Sequence, residues 1–254
     1  MKKIILSIIT SVSLFGNIVI KPQSINEITN PEYKLSLTGT LQKGNTEKES
    51  IGSGVKIVFG DGETYKHLFI GSYNYGMSNN IEDTNKGLFH YRFTHVIKNN
   101  YDYEFFTQEE FNKFQNTKIR FLVGGNIRKR LLIAQRLFVG TGVMYSKVSP
   151  DDDSLIDVEK NKIKLNLYMF FTHKFNKFLS FNSLAFYQPT LYNLETEETF
   201  KFKDFRFNTK NSIISKITEK LSFTTNLDYS YHSKPFEGIE KDDLKLTVGL
   251  ELKF

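Results

Sequence analysis

The sequence predicts an all-β protein: a transmembrane, antiparallel, up-and-down β-barrel of about 12 strands. Three observations predict it. Apolar and polar residues alternate with a period of two in segments long enough to cross a bilayer at a tilt. The connections between those segments alternate between short and long. The last segment, Leu244 to Phe254, keeps its apolar residues on one face to the final aromatic position.

Composition fits that class. Phe and Tyr together give 15% aromatic residues, yet the mean hydropathy is only −0.36. A soluble core suits that combination poorly, whereas a barrel strand puts one residue into lipid and the next into a polar interior. The chain has no cysteine, which suits passage through an oxidising compartment. The formal charge is +6, less the two units that Lys2 and Lys3 would take away with a leader. A balance this small, with no basic stripe interleaved with aromatics, argues against nucleic acid as a partner. Metal and cofactor motifs are also lacking.

The chain begins Met1-Lys2-Lys3 and continues through the apolar stretch Ile4 to Phe15. That order reads as a secretory leader over residues 1–20, with the barrel over 21–254 and small residues near Ser13 and Gly16 for cleavage. The competing reading is an uncleaved anchor. Ile4 to Ile20 includes Ser, Thr, Gly and Asn, which makes it marginal as a span.

Alternating segments fall near 33–43, 49–59, 64–77, 86–98, 101–114, 117–129, 134–146, 161–175, 178–188, 202–215, 220–232 and 243–254. An even number of crossings suits a single-chain barrel with both termini on the periplasmic side. Every second connection is then a tight periplasmic turn: Gly60 to Glu63, Asn99-Asn100, Arg130 to Ile133, Asn176-Lys177 and Ile217 to Glu219. Of the opposite set, Ser78 to Asn85, Lys147 to Lys160, Pro189 to Lys201 and Ser233 to Asp242 are long and charged, while Gly44 to Lys48 and Gln115-Asn116 are short. A soluble β-sandwich or lipocalin-like barrel would explain the alternation but not the leader, loop asymmetry and terminal strand together.

In the terminal strand, Thr247, Gly249, Leu252 and Phe254 resemble the signal read by the barrel-assembly machinery. An edge strand with an aromatic end can pair with a machinery strand until the sheet closes. The chain is also similar to the salt-induced outer-membrane proteins, a barrel family largely of unknown function. The similarity lies in Leu35 to Gly39 leading to Gly44-Asn45-Thr46, in Tyr103-Glu104-Phe105-Phe106 followed by Arg120 and Gly124-Gly125, and in the closing strand. Arg120 to Arg130 holds fewer small residues than the family's usual form. The resemblance implies an outer-membrane location and a barrel fold, and the barrel reading adds lipid, lipopolysaccharide and the assembly machinery as expected partners. It supplies no reaction.

Enzymatic chemistry finds little support. No His-x-Ser spacing occurs, and the adjacent His232-Ser233 would face opposite ways in a regular strand. Asp151-Asp152-Asp153 with Asp157 and Glu159 forms an acidic cluster without the spacing of a calcium loop, so a solvated outer loop is expected. Divalent-bridged contact with lipopolysaccharide phosphates is the functional alternative there.

The inward positions are more informative. They carry Lys56, Arg92, Lys118, Arg120, Arg128, Arg136, Lys164, Arg206, Lys210 and Lys245, against Glu104, Glu110, Asp228 and Glu251. Glu104 and Glu110 lie on a strand between those of Arg92 and Arg120, so cross-strand pairing would knit the interior. The expected role is therefore a structural or small-solute barrel without catalysis. A narrow channel favouring anions is the first alternative, and an outer-membrane lipid hydrolase the second.

Overall fold

The computed structural model describes residues 31–42, 47–98, 100–132, 137–151, 160–200, 202–219 and 221–252. The expected leader and Phe254 lie outside them. The strands, in chain order, are β1 (Glu32–Gln42), β2 (Lys48–Gly60), β3 (Tyr65–Ser78), β4 (Ile81–Lys98), β5 (Tyr101–Asn112), β6 (Thr117–Leu132), β7 (Leu137–Ser149), β8 (Lys160–Lys174), β9 (Leu179–Asn193), β10 (Glu198–Thr199), β11 (Phe205–Lys216), β12 (Leu221–His232) and β13 (Asp242–Leu252). They form one antiparallel sheet in sequence order, except that β10 is a two-residue strand pairing with β9 alone. Among the described residues, no helix is long and apolar enough to cross a membrane.

Tight turns have local causes. After β2, the Asp61 carboxylate accepts the backbone N–H groups of Glu63, Thr64 and Tyr65 at 2.7–3.0 Å. The hydrogen bond from Tyr65, with those from Thr64 and Glu63, outweighs partial desolvation and holds that carboxyl at about 2. After β8, Asn176 Oδ1 accepts the N–H groups of Phe178 and Leu179 at 2.8 Å. These are the Asx geometries that make Asp and Asn turn residues.

Three sequence expectations need correction. The segment Ser78 to Asn85 is not a long loop: Asn79 and Asn80 take positive φ values of 49° and 61°, and the hairpin turns on those two residues. Glu82, Asp83 and Asn85 hide this strand start from an apolar-alternation test. Their polar groups bond locally, as in Ser78 Oγ to Asp83 Oδ2 at 2.5 Å and Asn85 Nδ2 to Glu82 Oε1 at 2.7 Å. Likewise β9 continues through Pro189 to Asn193, which shortens the expected loop and adds β10. Lastly, Lys118 is exposed rather than inward. The register slips between Glu110 and Asn112, so Thr117 takes the buried position and Lys118 is turned out.

The sheet is polarised across its thickness. One face exposes Ile51, Phe89, Ile119, Ile127, Val143 and Leu246, among others, while the opposite face buries Lys66, Arg92, Glu104, Arg128 and Lys164. Large exposed apolars and buried ions invert the usual soluble pattern. The sheet also curls. Gln115, just after β5, donates to Asp243 on β13 at 2.9 Å, and Lys160 on β8 donates to the carbonyls of Lys234 and Pro235 beyond β12 at 3.2 Å. The concave side therefore holds the buried polar groups.

Candidate functional site

On the concave face, β4, β5 and β6 bring the predicted charges together. Arg128 is fully buried; its Nε donates to Asp102 Oδ2 at 2.8 Å, its Nη2 also binds Asp102, and its Nη1 donates to Glu104 Oε1 at 3.2 Å. Arg92 Nη1 lies 3.8 Å from the same Glu104 oxygen. The Arg128 guanidinium also sits 4.9 Å from the centre of the Phe138 ring. Further along β5, Arg120 Nη1 donates to Glu110 Oε1 at 2.5 Å. Gln108 Nε2 donates to Glu110 Oε2 at 2.9 Å, and Gln108 Oε1 lies 3.0 Å from His90 Nδ1. Since that amide oxygen only accepts, Nδ1 carries the hydrogen.

A second feature crosses the sheet instead of running along it. Tyr168 on β8 donates its hydroxyl to Glu104 Oε2 on β5 at 2.5 Å. Asn166 Nδ2 donates to Asn126 Oδ1 on β6 at 3.0 Å, and Gln188 Nε2 on β9 donates to Asn166 Oδ1 at 2.9 Å. Both β8 side chains pass over β7, and two glycines make room for them. A Cβ on Gly140 would lie 2.1 Å from the Tyr168 ring, and one on Gly142 would lie 1.9 Å from the Gly125 carbonyl and 2.4 Å from Asn126 Oδ1. Apolar side chains fill in beside this network: Phe138, Tyr168, Phe170, Leu184 and Phe186 form one cluster, and Phe106, Leu122 and Met144 another.

The wall formed by β11, β12 and β13 differs. Lys210, Asp228 and Lys245 occupy one register row, with Lys210 Nζ 3.9 Å from Asp228. These side chains are half-buried, Lys210 and Asp228 being 26% and 18% exposed. Arg206 stands opposite His232 and Gln188, and Lys164 opposite Thr190. Lys56 on the concave side of β2 reaches Glu32 at 3.9 Å, and its neighbours on that face are Gly52 and Gly54.

Other predicted positions are less informative. Thr247, Gly249, Glu251 and Leu252 pair with Asn226, Thr224, Ser222 and Leu221 through the backbone of β13. Arg136 and most of the acidic loop, residues 152–159, fall outside the described residues. The Ser233 hydroxyl accepts the Phe205 N–H at 2.8 Å, and no hydrogen bond joins it to His232 among the described residues. Nor do the described residues hold a cluster of three potential metal ligands.

Sequence reasoning missed several members of the concave face. Asp102 and Lys162 share strand parity with Glu104 and Lys164, and that parity would have located both. Lys66 sits near the start of β3, and Asp204 immediately precedes β11, where alternation gives no signal. Asp204 nevertheless pairs with Lys162.

A family model described as a protein of unknown function, DUF481, matches residues 35–254. No curated protein matches the chain. Among solved structures, the NanC porin in a rhombohedral crystal form is similar, with a TM-score of 0.47 and 9% identity, over 81% of this chain and 94% of that one. The chain belongs to the DUF481 family of proteins of unknown function.

Proposed function

We propose that the curled sheet closes into an outer-membrane β-barrel, with β13 meeting β1, and that the barrel passes small anions along its β11–β13 side. The outward aromatics support the membrane assignment. Near the short-turn end, Phe59, Tyr65, His67, Phe69, Tyr91 and Phe93 form a continuous outward patch of ring contacts. Near the long-loop end, Tyr187, Phe205 and Tyr231 stack in sequence, and Phe207 meets Tyr229. Two belts flanking an apolar band are the arrangement that membrane interfaces favour. The leader and the terminal strand, with the likeness of that strand to an assembly signal, point to the same compartment.

The observation that carries the transport reading is the half-burial of the β11–β13 wall combined with its charge. Lys210 and Lys245 face Asp228 there, Lys86 lies within electrostatic range of Lys245, and the row is half-exposed. Partly screened lysines in surplus over their one carboxylate make a narrow path that attracts anions. No catalytic step enters this reading. A barrel that is inert and only reinforces the envelope is the second reading, favoured by the packed network on β4–β9.

Planar-bilayer recording in a KCl gradient separates the two. Discrete steps with a reversal potential on the chloride side are expected; a silent bilayer containing correctly folded protein would overturn the channel.

A further inference from the structure

The basic groups near the long-loop end form a site that pairing within the sheet does not satisfy. Among the described residues, five cations, Arg120, Lys160, Lys162, Lys164 and Arg206, share this region with two carboxylates, Asp204 and Glu110. Each carboxylate has a cation on one oxygen, Asp204 Oδ2 on Lys162 and Glu110 Oε1 on Arg120, while Asp204 Oδ1 is buried without a hydrogen bond among the described residues. Lys160 is engaged as well, donating to two loop carbonyls and lying 4.1 Å from the centre of the Phe236 ring. That leaves Lys164 and Arg206, and among the described residues no side-chain hydrogen bond or ion pair occupies either one.

Lys164 is only 3% exposed. A buried ammonium without an acceptor is costly. It lies within electrostatic range of Arg206, Asp204, Lys162 and Arg120. His232 is coupled to Arg206, Lys164 and Arg120 in the same way. Strand register explains the convergence: Lys164 is beside Thr190 on β9, while Arg206 is beside Gln188 on β9 and His232 on β12. The segment after β12 overhangs the cluster, with Phe236 buried and held by Lys160. A planar guanidinium and a point ammonium in a cluster where cations outnumber carboxylates, neither with an ion pair of its own, match the oxygens of one small oxyanion.

We propose that Lys164 and Arg206, with His232 beside them, form a binding site for a small oxyanion, a carboxylate or phosphate, at the long-loop mouth of the barrel. The site rests on the anion-path reading and makes it selective: an oxyanion dwells here, and chloride passes.

The test uses the full chain folded in detergent micelles, titrated calorimetrically with inorganic phosphate and, separately, with sodium acetate. Saturable binding of one or both is expected, and the stronger ligand identifies the source. Lys164→Gln and Arg206→Gln should each weaken binding about tenfold to a hundredfold, whereas Lys177→Gln, in the turn after β8, should leave it unchanged. If Lys164→Gln does not fold, Arg206→Lys keeps the charge and loses the fork, and intermediate weakening is expected. Absence of binding by both anions, or binding insensitive to the substitutions in folded protein, would overturn the site. A protein that binds phosphate but conducts nothing keeps the site and refutes the channel; one that conducts anions but binds neither ligand refutes the site and keeps the channel.

Discussion

Two walls of one sheet solve the same problem differently. On β4, β5 and β6, Arg92, Arg120 and Arg128 meet Asp102, Glu104 and Glu110, and most of these groups are buried almost completely. On β11, β12 and β13, Lys210 and Lys245 flank Asp228 in one register row, and the row stays half-exposed. The first wall balances its charges and uses arginines, whose forked donors can satisfy several acceptors without water. The second has surplus charge and relies more on lysines, each a point charge best kept partly hydrated. Balance permits burial, and imbalance requires solvent or a ligand. The contrast explains how one alternating pattern gives both a packed wall and a half-exposed one.

The largest expected effect comes from breaking the balanced wall. Arg128→Met strands Asp102 and part of the demand of Glu104 in a buried setting, and should destabilise the fold by about 3–5 kcal/mol. Urea unfolding in lipid vesicles, followed by heat-modifiable gel mobility, measures it. Next comes Gly142→Ala, whose added carbon meets the Gly125 carbonyl rather than a yielding side chain. The loss should be about 1–3 kcal/mol in the same assay. A stable Gly142→Ala protein would show that β8 need not reach across β7.

The open wall should behave in the opposite way. Lys210→Gln should change stability by no more than about 1 kcal/mol, as a long, half-buried pair that solvent still reaches contributes little. It should nevertheless move the reversal potential toward cation preference. A large loss of stability would show that this wall is packed after all and erase the contrast.

The smallest effect concerns a turn outside both walls. The Asp61 carboxyl is held at about 2, below its ordinary value of 3.8, by three backbone donors. A group depressed in the folded state stabilises it above its unfolded value and loses that contribution as pH falls through the folded one. Asp61→Asn should therefore flatten the pH dependence of unfolding between about pH 4 and pH 2, measured by urea midpoints. Conductance should not change.

The sequence made the strand rhythm legible because the side-chain period is fixed at two. Glu104 and Glu110, set between Arg92 and Arg120, announced cross-strand ion pairing for the same reason. Other features were not legible because no local period encodes them. The Asn79-Asn80 turn lacks glycine, and the polar start of β4 satisfies itself locally, so neither stands out from a loop. Lys118 has the right parity and the wrong exposure because a register slip intervenes. The contacts of Tyr168 and Asn166 depend on glycines in the neighbouring strand, which a reading of β8 alone cannot reveal.

Gly140 and Gly142 also bear on how the molecule assembles. Because β8 reaches across β7 to β5 and β6, adding strands one hairpin at a time does not complete the interior as it proceeds. A chain organised only through β7 lacks the Tyr168 donor to Glu104 and the Asn166 donor to Asn126. Those contacts, distant in sequence, arrive together when the eighth strand docks. Long-range closures of this kind slow folding and sharpen its cooperativity. The two missing side chains on β7 thus make the packed wall depend on strands far apart in the chain.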